Sequence, residues 1–127
     1  MKLRILDNSI RLRLTQGEVQ AVNSDGLVRG RVRFPGSKNF DYVLESSPAT
    51  VVPEAHLSNN VLTVRVPVLD IRNWAESDKV SIDSKQTLDD GDGLRILIEK
   101  DFQCLSPRAG EDETDMFPHP GAGTEAC

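Results

Sequence analysis

One pattern occurs twice in this chain, and it constrains the fold more than any single residue does. Asn8-Ser9-Ile10-Arg11-Leu12-Arg13-Leu14-Thr15 runs into Gly17-Glu18-Val19. About 50 residues later, Asn60-Val61-Leu62-Thr63-Val64-Arg65-Val66-Pro67 runs into Leu69-Asp70-Ile71. Each copy alternates apolar and polar residues, the period of a strand with one buried face. Each then meets a helix-start residue and a short amphipathic segment, and alternating strands follow. An internal repeat of this kind predicts two similar halves.

The remaining elements fit that scheme. Residues 2–6 form a strand that turns at Asp7-Asn8 into the first copy. Thr15 and Glu18 have the spacing of a capping box, and Asn23-Ser24-Asp25-Gly26 ends the helix. Val28, Val32 and Phe34 then alternate with Arg29, Arg31 and Arg33, and a turn over 35–39 leads to a strand with Phe40, Tyr42 and Leu44 on one face. In the second half, 54–58 and 60–66 read as a hairpin about Ser58-Asn59-Asn60. Pro67 suits a first helical position, and Val68, Ile71, Trp74 and Ala75 share a helical face. Residues 79–83 form a strand with Val80 and Ile82 inward. Residues 94–102 close the fold, with Leu94, Ile96 and Ile98 on one face and Leu97 buried on the other.

The expected class is α+β: a mostly antiparallel sheet of about eight strands, possible as a curled sheet or half-barrel, with two short helices and pseudo-duplicated strand–helix–strand–strand halves. Residues 1–105 form a single domain with halves 1–46 and 54–105. Residues 106–127 are an acidic tail rich in Pro and Gly, partly disordered or docked.

The charge is uneven. The chain carries −5 overall, but residues 1–40 hold eight bases against Asp7, Glu18 and Asp25, whereas 41–105 hold six bases against twelve acids. Ion pairing between the two stretches is the favoured explanation, and a basic face is the other. The basic side chains fall in rows: Arg11 and Arg13 on one strand, Arg29, Arg31 and Arg33 on another, with Arg4 nearby. Arginine donates paired hydrogen bonds that suit carboxylates and phosphates. The alternative for these rows is pairing with Asp41, Glu45, Asp83 and Glu99 on opposing strands. Aromatics do not interleave with the arginines, which argues against nucleic acid as the partner.

Other signals are weaker. Asp90, Asp92, Gly93 and Glu99 match a calcium-loop pattern, but Leu88 stands at its first ligand position, so an acidic hairpin turn is the better reading. Cys104 and His119, near Asp112, Glu113 and Asp115, lack zinc spacing, and they lack a third residue to orient the imidazole for a nucleophile pair. Cys104 reads as a boundary thiol and His56 as structural. Cys104 and Cys127 are expected as two thiols. No glycine-rich phosphate loop, HExxH or GxSxG motif occurs, nor does the alternating glutamate signature of triphosphate tunnel enzymes. No cofactor and no metal is expected. Trp74 and Phe102 read as core anchors. No apolar run suits a membrane span or a secretory signal, which places the expected chain in the cytoplasm.

The chain resembles a family of small uncharacterised bacterial proteins, a domain of unknown function. The likeness rests on Asn8 to Thr15, on Leu94-Arg95-Ile96-Leu97-Ile98-Glu99-Lys100-Asp101-Phe102 with Cys104-Leu105, and on Glu111-Asp112-Glu113 and Phe117-Pro118-His119-Pro120. It implies that His119 is replaceable by Asn, against a role as an essential ligand or base. It also implies that the acidic segment belongs to the module and docks on the basic half. It implies no activity, substrate or cofactor.

The expected function is a non-enzymatic binding or interaction module, monomer or homodimer. Arg11, Arg13, Arg29, Arg31, Arg33 and Glu99 are its candidate residues, and a protein partner or the chain's own acidic tail is the ligand. The alternative is a small phosphate-binding enzyme with an arginine grip and Glu99 as acid–base.

Overall fold

A computed structural model describes residues 1–102 and 114–118. It holds eight strands and two helices: β1 (Lys2–Leu6), β2 (Ser9–Leu14), α1 (Gln16–Asp25), β3 (Leu27–Phe34), β4 (Lys38–Ser47), β5 (Glu54–Ser58), β6 (Val61–Pro67), α2 (Val68–Ala75), β7 (Ser81–Thr87) and β8 (Gly93–Lys100). The order ββαββ occurs twice, as the repeat requires. The α+β class and the pseudo-duplicated halves are thus present, and the described residues form no closed barrel.

The strands divide into two four-stranded sheets, and each sheet takes one hairpin from each half. Sheet A has the order β1-β2-β8-β7 and sheet B the order β3-β4-β6-β5. Within a hairpin the pairing is antiparallel, but the central joins, β2 with β8 and β4 with β6, are parallel. Local alternation sets the hairpins; it carries no information about which hairpin meets which, so the parallel joins are a tertiary outcome.

Both inner faces meet in one core. Leu12, Leu14, Leu44, Val64, Val66, Ile96 and Ile98 supply the strands' share, and Val22, Ile71 and Trp74 the helices'. The helices touch each other, α1 lies against β2, β3 and β4, and α2 lies against β4, β6 and β7. The Trp74 ring is fully buried, and its Nε1 donates to the Val80 carbonyl at 2.9 Å.

Both hairpin turns of the repeat are two residues long. Asp7 has φ 48°, and Asn59 and Asn60 have φ 52° and 63°. Short polar side chains tolerate this left-handed backbone, which matches the twist of the strands. Gly30 faces Tyr42 across β3 and β4. A Cβ at Gly30 would enter the Tyr42 ring, so only glycine fits there.

Helix α1 starts with the expected capping box between Thr15 and Glu18. The acidic segment completes it. The Asp115 carbonyl accepts from Gln16 N at 2.9 Å, and the Asp115 carboxylate accepts from Gly17 N at 3.2 Å. Glu18 N reaches Thr15 Oγ1, and Val19 N makes the first intrahelical bond. The amides that a helix start leaves without partners are all satisfied, and a carboxylate sits at the positive end of the helix. Met116 is buried beside this contact, and Phe117 N donates to the Asp101 carbonyl at 2.8 Å.

Several expectations need correction. Pro67 is the last residue of β6 and the N-cap of α2, not its first helical residue. Val80 precedes β7 and is 42% exposed, because its carbonyl, not its side chain, faces inward to Trp74 and to the Lys100 amide. Val32 and Phe34 share the parity of buried Val28 yet are 44% and 52% exposed, since that end of the β3–β4 hairpin runs beyond the core. Residues 88–92 form the tight acidic turn of the β7–β8 hairpin, with Leu88 N bonded to the Asp92 carbonyl. Cys104, Asp112, Glu113, His119 and Cys127 lie outside the described residues.

Candidate anion-binding face

The arginine rows do not form one face. Strand alternation turns them outward on two different sheets, and the pairing register fixes their neighbours. On sheet A, Leu6, Ser9, Arg95 and Lys85 form one row, Arg4, Arg11, Leu97 and Asp83 the next, and Lys2, Arg13, Glu99 and Ser81 a third. Six basic residues thus share this face with the two acids Asp83 and Glu99. On sheet B the outer face carries Arg29, Arg31, Arg33 and Arg65 with Asp41, Glu45 and Glu54, nearly balanced. Arg11, Arg13 and Glu99 are therefore together, and Arg29, Arg31 and Arg33 lie apart from them.

The four acids named as pairing partners are all engaged. Glu99 Oε1 accepts a hydrogen bond from Arg13 at 3.1 Å and forms an ion pair with Arg11 at 3.2 Å. Asp41 takes two hydrogen bonds from Arg31, at 2.8 and 3.0 Å, with Arg29 at 3.8 Å. Arg65 meets Glu45 at 2.9 Å, and Arg95 meets Asp83 at 3.1 Å. Lys2 adds a contact to buried Asp101 at 3.2 Å. The basic stretch 1–40 and the acidic stretch 41–105 are joined through the Lys2, Arg11, Arg13, Arg29 and Arg31 pairs. The arginine and lysine members of these pairs are partly or largely exposed, so the pairs set charge geometry more than stability. The hydrogen bonds from Arg31 hold the Asp41 carboxyl below its ordinary pKa against an opposing effect of desolvation, and Asp41 in turn raises Arg31. Asp83 raises Arg95 in the same way.

The repeat extends to these pairs. Arg13–Glu99 joins β2 to β8, and its equivalent Arg65–Glu45 joins β6 to β4. A second equivalent pair has inverted charges: Arg29 with Asp41 on sheet B, Asp83 with Arg95 on sheet A. Leu97 and Val43 also correspond. Both are outward-facing yet buried, and on sheet A the outward neighbours of Leu97 are Arg11 and Asp83; an arginine stem covers apolar surface while its head stays wet.

One part of the sheet A face has an excess of positive charge. Arg4 stands directly opposite Arg11, an arrangement that disfavours a strand pair. With Arg95, Ser9, Leu6 and Leu97 they line a shallow depression of about 150 Å³ with no carboxylate in its lining. Arg4 and Lys85 have no ion-pair partner among the described residues. A second depression, at the tip of the β3–β4 hairpin, is lined by Arg31, Arg33, Phe34, Ser37 and Asn39. Glu99 lines neither. The described residues of the acidic segment, 114–118, meet α1 and the end of β8, and Asp115 faces helix amides and not an arginine.

Arg95 and Lys85 are absent from the sequence-based set. Arg95 has the same parity as Leu97 and Glu99, which was the available signal; its place beside Ser9 depends on the parallel join. Lys100 is also new. It is 8% exposed on the inner side of β8, its Nζ donates to the Ser77 carbonyl at 2.7 Å, and the Phe117 ring lies 5.4 Å away. Burial lowers its pKa, and Asp78 acts in the opposite direction.

Among the described residues no three His, Cys, Asp or Glu side chains gather as a metal site, and no helix is long and apolar enough to cross a membrane. Among curated proteins and among solved structures, nothing matches this chain. A family model does match, over residues 1–121, and the chain belongs to that family, the family of unknown function DUF7009.

Proposed function

We propose that this chain is a cytoplasmic binding module whose sheet A outer face receives an acidic partner protein. The observation that carries the reading is Arg4 opposite Arg11, with Arg95 beside them, around a depression free of carboxylates. Like charges held together on adjacent strands are relieved when an anionic group sits between them. The face is wide and shallow, which suits a protein surface better than an enclosed small-molecule site. The competing reading, a phosphate-gripping enzyme with Glu99 as acid–base, has less support. The Glu99 oxygen is shared by Arg11 and Arg13, and Glu99 lies outside the depression.

Thermal melting of the full chain in low salt tests the choice. Polyglutamate is expected to raise the Tm, polylysine to leave it unchanged, and added salt to abolish the effect. No shift with polyglutamate overturns the proposal. A shift with inorganic phosphate alone, equal to that with polyglutamate, turns it toward the enzyme reading.

A further inference from the structure

We propose that the outer edge of β1 is a strand-addition site for an extended segment of alternating acidic and apolar residues. This deepens the reading of the sheet A face and rests on it.

The edge is set by the turn. Asp7-Asn8 is a two-residue turn, so Leu6 and Ser9 close the hairpin as a hydrogen-bonded pair. Arg4 and Lys2 pair likewise. Leu3 and Ile5 then point their amides and carbonyls away from β2, and these groups meet no partner among the described residues.

The repeat shows how such an edge is closed when it is closed. Leu3 corresponds to Ala55 on β5, the edge strand of sheet B. There the side-chain amide of Gln86 covers the edge: its Oε1 accepts from Ala55 N at 2.7 Å, and its Nε2 donates to the Ala55 carbonyl at 3.3 Å. The residue equivalent to Gln86 is Val32, since Arg31 pairs with Asp41 as Lys85 pairs with Arg95. Valine has no group to offer a strand backbone. One edge is stapled; its equivalent has no such staple among the described residues and lies beside exposed Ile5 and Leu6.

The occupant follows from the side chains. An added strand sends alternate residues to opposite faces. One set would meet Arg4 and the Arg11 row behind it, which calls for carboxylates. The other would lie level with Leu3 and Ile5, which calls for apolar groups. A second copy of β1 is disfavoured, because it would bring Lys2 and Arg4 against their own like. Main-chain pairing would supply affinity and the alternation would supply selectivity.

The test uses the full chain, a labelled peptide of alternating Glu and Val, and the same peptide N-methylated at every second residue. Binding is read by anisotropy and amide exchange by NMR. The expected result is binding of the first peptide, slowed exchange at Leu3 and Ile5, and a loss of about tenfold on N-methylation. Equal binding of both peptides without protection overturns strand addition and leaves the basic-face reading standing. Binding of neither overturns both. Protection of Leu3 and Ile5 that grows with protein concentration without peptide, together with a dimer in sedimentation, shows a second copy on the edge and overturns the acidic segment as occupant.

Discussion

Gln86 holds Ala55 by both ends of its amide, a side chain of sheet A closing the backbone edge of sheet B. Removing it by Gln86→Val reproduces Val32 at the equivalent position. The variant is expected to lose about 1–3 kcal/mol in denaturant unfolding, since a part-buried amide and carbonyl lose their partners. It is also expected to self-associate more in sedimentation, because the β5 edge loses its cover. The reverse change, Val32→Gln, should slow amide exchange at Leu3.

The same logic applies to the start of α1. Asp115→Ala removes the acceptor of the Gly17 amide and the carboxylate at the helix N-terminus. A loss of about 1 kcal/mol is expected, the scale of a lost cap. Amide exchange at Gly17 should accelerate while exchange at Val22, deep in the helix, follows only the global change.

Asp41 predicts acid sensitivity. Its folded pKa lies below the ordinary 3.8. The stability it contributes is therefore complete above the unfolded value and is lost as pH falls through the folded one. Between pH 4 and 2 the wild type should lose stability faster than Asp41→Asn, whose curve should be flatter in urea unfolding.

Lys100 acts in the opposite range. Its folded pKa lies below 10.5 because burial penalises its charge. Between the folded value and 10.5 the unfolded chain binds more protons, so stability rises with pH across that window. Lys100→Met should remove this rise, seen as the difference between the two stability-against-pH curves.

The elements were legible because their signals are local. The Asn8–Thr15 alternation predicted β2, the Thr15/Glu18 spacing predicted the cap of α1, and the repeat predicted the ββαββ order. The arginine set was legible as residues but not as a site. Arg11 and Arg29 have the same strand parity, and only the parallel joins assign them to different sheets. Arg95 came to the face by that same join. Gln86 has no sequence signature at all, since its role depends on one sheet reaching the edge of the other.

The central claim is that the face of sheet A, not that of sheet B, meets the acidic partner. Affinity for polyglutamate in low salt, measured for Arg4→Glu/Lys85→Glu on sheet A and for Arg33→Glu on sheet B, tests it most directly. These side chains are exposed and outside the ion pairs described above, so reversal leaves the core intact. The account predicts a loss of tenfold or more with a shallower salt dependence for the sheet A variant, and a change within about twofold for Arg33→Glu. Equal losses, or a larger loss from sheet B, would contradict it.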